Sequence, residues 1–91
     1  MTKLQLIEAL AKAENITLKK AEMVVNALFE NMADALEREE RIEIRGFGSF
    51  KVKVYKGYKG RNPKTGDLIK VESKKLPFFK VGKKMRERVD L

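Results

Sequence analysis

An α+β fold is expected for this 91-residue sequence from three observations. Up to about Arg38, apolar residues recur every three or four positions, as they do along helices that bury one face. From Arg41 to Val54 the pattern changes to period two, as in strands with one buried and one wet face. Around Asn62, Pro63 and Gly66, turn-forming residues interrupt a basic stretch, as at the tip of a hairpin. The architecture is therefore an N-terminal helical hairpin, an antiparallel β-sheet with a long protruding β-hairpin arm at about residues 55–73, and a short C-terminal helix. The whole chain, residues 1–91, reads as one domain with no internal repeat.

The first helix starts at a capping box, with Thr2 accepting from the amide of Gln5 and the Gln5 side chain reaching back. It runs to about Glu14, with Leu4, Ile7, Leu10 and Ala11 on one face and Leu6 and Ala13 at the margin. Asn15 breaks it. Thr17 caps a second helix from Leu18 to about Arg38. Its apolar positions are Ala21, Val24, Val25, Leu28, Phe29, Met32, Ala35 and Leu36, a stripe too wide for the first helix alone to cover. A sheet or a second copy of the chain is needed to complete the core, in keeping with the limited burial open to so short a chain.

Arg41 to Arg45 alternates as a strand. Gly46-Phe47-Gly48 is a turn with its aromatic directed inward, and Ser49 to Val54 resumes the alternation. Phe50, Val52 and Val54 take one side, Lys51 and Lys53 the other. Beyond Val54 the parity of the lysines changes next to Gly57, which predicts a bulge or twist where the arm leaves the body. The tip spans residues 61–67 and the returning strand ends near Ser73. Leu76, Phe78 and Phe79 read as a return to the core. Gly82 precedes the final helix, Lys83 to Val89, with Met85 and Val89 on its inner edge.

The charge is segregated. Residues 1–50 hold 7 Lys and Arg against 9 Asp and Glu, and residues 51–91 hold 14 against 4. A solubility charge needs no such division, so the second half is suited to a polyanion: nucleic acid, or less well an anionic membrane. There is no Cys and no His. That removes disulfides, thiolate metal sites and the commonest general base. No cofactor and no small-molecule substrate are expected. No apolar run approaches the roughly 20 residues that span a bilayer, and no signal-peptide apolar region begins the chain, so a cytosolic location is expected.

Two blocks, Gly46-Phe47-Gly48-Ser49-Phe50 and Gly60-Arg61-Asn62-Pro63-Lys64-Thr65-Gly66, together with Phe79-Lys80-x-Gly82-Lys83, resemble the bacterial histone-like family of HU and integration host factor. The resemblance covers essentially the whole chain. Glu40-Arg41-Ile42-Glu43-Ile44-Arg45 is most similar to the beta-subunit branch of integration host factor. The family implies an intertwined dimer, a homodimer or a heterodimer with a related subunit. It also implies association with the nucleoid, and two arms that wrap double-stranded DNA in the minor groove while a proline at each tip enters a base step.

Pro63 suits that role, being rigid, apolar and without an amide proton. Arg61 suits the strongly negative floor of a narrow minor groove, and Asn62 can donate to and accept from base edges there. Lys3 is expected to meet phosphate beside the free amides of the first helix. Ser49 and the Gly48 amide are further phosphate anchors, and Arg45 reaches the groove as the family position implies. Lys53, Lys56, Lys59, Lys64, Lys70, Lys75, Lys80, Lys83 and Lys84 supply the basic surface. Arginine is common in relatives where this chain has Tyr55 and Tyr58, so the arm holds DNA with a different set of charges or sets Tyr58 against sugars.

Other classes fit less well. Single-strand or RNA binding wants several exposed aromatic platforms, and only Tyr55 and Tyr58 qualify. An enzyme would need a catalytic constellation that is missing here. The last helix is too short to lie on a membrane.

Overall fold

The capping box forms. The Gln5 amide donates to the Thr2 hydroxyl at 3.1 Å and the Thr2 amide to Gln5 Oε1 at 2.9 Å. It opens α1 (Lys3–Glu14) in the computed structural model, which describes residues 1–90; Leu91, included in the expected domain, lies outside them. Asn15 stops α1 in the left-handed conformation, φ 52°, which a short polar side chain tolerates better than most. Thr17 caps α2 (Leu18–Glu37) by accepting from the Lys20 amide at 3.1 Å. At its other end the Glu39 amide donates to the Leu36 carbonyl and the Glu40 amide to the Ala35 carbonyl, at 3.0 and 2.9 Å. This is a Schellman ending. Glu39 occupies its left-handed position, φ 62°, where glycine is usual.

The apolar core of one chain is small. Ile7, Ala11, Ala21 and Val25 are buried between α1 and α2, with Leu6, Leu10 and Ile16 packed around them. The middle of the α2 stripe is open, with Val24, Leu28 and Phe29 52, 53 and 44 % exposed, while Met32, Ala35 and Leu36 are half-buried. Leu4, expected on the inner face, is exposed too, because the contact between the helices is made further along, at Ile7 and Ala11.

Five strands and a helix follow: β1 (Ile42–Ile44), β2 (Gly48–Tyr55), β3 (Tyr58–Arg61), β4 (Leu68–Val71), β5 (Lys74–Val81) and α3 (Lys83–Val89). β1, β2 and β5 make an antiparallel sheet in that order, and β3 and β4 pair separately as the arm. Pro77 is admitted because β5 is an edge strand, paired on one side only.

Register decides which aromatics reach the apolar face. Phe79 lies opposite Phe50, with ring centroids 4.7 Å apart, and Phe47 joins at 5.3 Å from Phe79. Phe78 lies opposite Lys51, and Leu76 opposite Lys53. The expectation that Leu76, Phe78 and Phe79 all return to the core is thus corrected: neighbours on a strand face opposite ways, and only Phe79 joins the apolar cluster. Val89, expected on the inner edge of α3, is 76 % exposed, since none of the described residues covers it.

The transition from body to arm is not an inserted-residue bulge. Tyr55 pairs with Lys74, and pairing resumes at Tyr58 with Val71. Residues 56–57 and 72–73 are left unpaired, the same number on each strand, so the register is kept. Gly57 permits the narrow passage: a Cβ there would lie 2.6 Å from the Val71 carbonyl oxygen.

Gly48 has a comparable constraint inside the body. A Cβ at Gly48 would lie 2.5 Å from both the Lys80 carbonyl oxygen and the Phe79 ring. Gly48→Ala is expected to destabilise the fold by about 1–3 kcal/mol, the usual cost of overpacking, read as a lower denaturant midpoint at unchanged slope.

The chain by itself is far from a sphere. Its radius of gyration is 19.5 Å, whereas about 12 Å is usual for a compact chain of this length. It exposes 8189 Å², roughly 2,800 Å² more than a folded monomer of its mass normally does.

Candidate nucleic-acid interface

The arm tip is built by Asn62. Its amide donates to the Asp67 carbonyl at 2.8 Å, and its own carbonyl accepts from the Gly66 amide at 2.7 Å. Its Oδ1 accepts from the Lys64 amide at 2.9 Å, and the Thr65 hydroxyl accepts from the Asp67 amide at 3.3 Å. Gly66 supplies the positive φ, 74°, that the turn requires. These bonds close the turn around Pro63, whose ring is exposed at the tip. They also use the Oδ1 of Asn62 internally, which leaves its Nδ2 as the group free for a base edge.

Along the arm, one face carries Lys59 opposite Lys70 and Arg61 opposite Leu68. The other carries Tyr58 opposite Val71 and Gly60 opposite Ile69, with the Tyr58 ring leaning over Gly60. Like charges placed directly across a ladder are destabilising. The Lys70 ammonium has a partial counterion in Glu72 at 3.6 Å. Lys56 stands exposed at the break below the arm.

The body offers a second basic region. The β1–β2 turn is drawn against the start of α3 by the Gly82 amide, which donates to the Phe47 carbonyl at 2.9 Å. A groove opens there, lined by Arg41, Arg45, Lys80, Lys83, Lys84 and Arg86 with a single carboxylate, Glu43. Ser49, buried and opposite Lys80 in register, lies in its wall. Gly48 lies there as well, between Ile44 of β1 and Val81 of β5.

The expected residues therefore divide. Arg61, Asn62, Pro63, Lys64, Lys56, Tyr58, Lys59 and Lys70 belong to the arm, and Arg45, Gly48, Ser49, Lys80, Lys83 and Lys84 to the groove. Lys53 is on the outer face of the sheet, opposite Leu76. Lys3 is exposed at the start of α1 and lines neither region. Lys75 departs from the set: it lies opposite Val54, on the apolar side of the sheet, and its ammonium meets the Glu39 carboxylate at 2.7 Å. Arg41 and Arg86, which the sequence does not single out, complete the groove. Arg41 stands next to the alternating strand and Arg86 one turn into α3, but nothing local brings them together.

A family profile described as bacterial DNA-binding protein matches residues 1–90. The chain is 51 % identical to integration host factor subunit beta of Vibrio cholerae, over 100 % of both chains. It is 50 % identical to that subunit of Mannheimia succiniciproducens, over 99 % of this chain and 97 % of the relative. Among solved structures, it is similar to HU of Anabaena in a co-crystal with DNA, with TM-score 0.80, 35 % identity, and 98 % and 97 % of the two chains covered. It is also similar to HU from Thermotoga maritima, with TM-score 0.69, 28 % identity and 98 % of each chain covered.

Proposed function

The chain belongs to the bacterial DNA-binding protein family, and we propose on that premise that it is a nucleoid-associated architectural protein that binds double-stranded DNA as a dimer and bends it. Each arm follows the minor groove, and Pro63 enters a base step. The observation that carries this is the arm itself: a protruding hairpin with an exposed proline between Arg61 and Lys64 and a like-charged cross-strand pair, Lys59 and Lys70. Like charges directly opposite one another are destabilising, and a phosphate beside this pair would relieve the repulsion that Glu72 offsets for Lys70 alone.

Dimerisation is supported by the excess of exposed surface and by the uncovered stripe on α2. The area left open, roughly 2,800 Å² beyond that of a folded monomer of this mass, is on the scale of an obligate interface. The partner is a second copy or a related subunit. Arg61 and the Nδ2 of Asn62 read the groove edge; Lys56, Tyr58, Lys59, Lys64 and Lys70 hold the backbone along the arm. Arg45, Ser49, the Gly48 backbone, Lys80, Lys83, Lys84 and Lys3 anchor phosphates on the body, and Lys53 does so on the sheet. Lys75 braces the arm base against the end of α2. DNA bent in this way serves compaction, recombination, replication and transcription regulation in the cytoplasm.

Unstacking costs a few kcal/mol per step, offset by the phosphate contacts that bent DNA makes. The kink per wedge is roughly 20–90°, the range known for minor-groove architectural proteins, this family among them. The test is energy transfer between the ends of a duplex long enough to span both arms. The chain is expected to bring the ends together. Pro63→Ala is expected to bind with its lysine contacts intact and to bend less, by at least about 20° per arm. A duplex that stays straight under saturating protein overturns the bending reading.

A further inference from the structure

Lys51 and Lys53 are successive outward residues of β2, and both ammonium groups lie over one ring. The Nζ of Lys53 is 4.3 Å from the Phe78 centroid and that of Lys51 is 5.4 Å from it. Neither lysine is within ion-pair distance of a carboxylate among the described residues. Phe78 is half-buried, on the opposite face of the sheet from the Phe47–Phe50–Phe79 cluster. Its ring is thus not part of that cluster and meets the two lysines instead. What it does is attract two cations to one spot, against their mutual repulsion and the rotamer freedom that lysines otherwise keep.

This spot lies between the two basic regions. Toward one end, the same face carries Ser49 opposite Lys80, which line the groove at α3. Toward the other, the register is kept across the unpaired residues 56–57 and 72–73, so the alternation leads to Lys59 and Arg61 on the arm. A chain of negative charges that touches the groove and the arm passes over Lys51 and Lys53.

We propose that Phe78 is a positioning residue that gathers Lys51 and Lys53 into an additional phosphate-binding site on the outer face of the sheet, occupied by the backbone of the bound duplex. The proposal rests on the DNA-binding function above and adds Lys51 and Phe78 to the residues that serve it.

The test compares duplex affinity over a range of salt for the full-length chain, Lys51→Gln/Lys53→Gln, Phe78→Leu and Phe78→Tyr. If each lysine neutralises one phosphate, the double variant lowers the slope of log K against log salt by about 2 per protomer, hence about 4 per dimer. Phe78→Leu keeps an apolar side chain but loses the ring face, and is expected to weaken binding about threefold to tenfold. Phe78→Tyr, which keeps the ring, restores it. A general structural role for Phe78 would instead lower the thermal midpoint of Phe78→Leu and leave the slope of the double Gln variant at the parent value. That unchanged slope overturns the proposal even where the parent chain binds and bends DNA. A change in oligomeric size of the double Gln variant at unchanged slope also overturns it, in favour of a contact between copies. If the parent chain binds no duplex, both this site and the proposed function fall.

Discussion

Raising the salt from about 50 to about 200 mM is expected to weaken duplex binding by about 10⁵-fold, with a slope of log K near −9 if a dimer neutralises about ten phosphates. The expectation follows from how charge is arranged. The last 41 residues hold 14 cations against 4 carboxylates, and the fold gathers many of them into the groove at α3 and along the arm. Among the described residues, few of these cations have an internal partner. Of the basic residues expected to bind, Lys75 is held by Glu39, and Lys70 has Glu72 at 3.6 Å. The rest release their counterions only when phosphate replaces them, which is the origin of the slope. Fluorescence anisotropy on one duplex at several salt concentrations measures it. Lys75→Gln serves as the internal control: its ammonium already meets the Glu39 carboxylate, so the slope is expected to change by less than about 0.5, against the roughly 1.8 a dimer would lose if Lys75 of each protomer neutralised a phosphate. A parent slope shallower than about −4 would mean that the groove and the arm do not act on the same duplex.

Phe29→Asp is expected to abolish the folded state at micromolar concentration. Phe29 stands one helical turn beyond the buried Val25, on the stripe that α1 does not cover, and it is 44 % exposed within the chain. If a second protomer closes that stripe, the substitution buries two unpaired carboxylates per dimer. Each costs several kcal/mol, while a whole domain is stable by only about 5–15 kcal/mol. Four buried apolar residues between two helices are too small a core to hold the fold alone. The helical circular-dichroism signal should therefore be lost together with the dimer, as judged by sedimentation. A variant that sediments as a helical, folded monomer would show that the stripe needs no cover.

Both results depend on features that differ in how far the sequence discloses them. The helix ends are readable because their signals are local: Thr2 with Gln5, Asn15, and Thr17 each act within about one turn. The tip is readable for the same reason, since every hydrogen bond that closes it joins residues 62–67 to one another. The segregation of charge is a property of composition and needs no fold at all.

The aromatic segment after the arm is different. Phe78 and Phe79 are equally apolar and adjacent, so one must face each way, and only pairing with β2 settles which. Phe79 meets Phe50, and Phe78 meets the lysines. Likewise, no spacing rule assigns Lys75 to Glu39 or brings Arg41 and Arg86 to one groove. By itself, then, the sequence determined the elements, their caps, the arm with its proline tip and the division of charge, because each rests on interactions within a few residues or on composition. The tertiary structure alone decided which cations converge, which one is held aside and which phenylalanine leaves the core, because those depend on strand register between segments about thirty residues apart, where the local code carries no information.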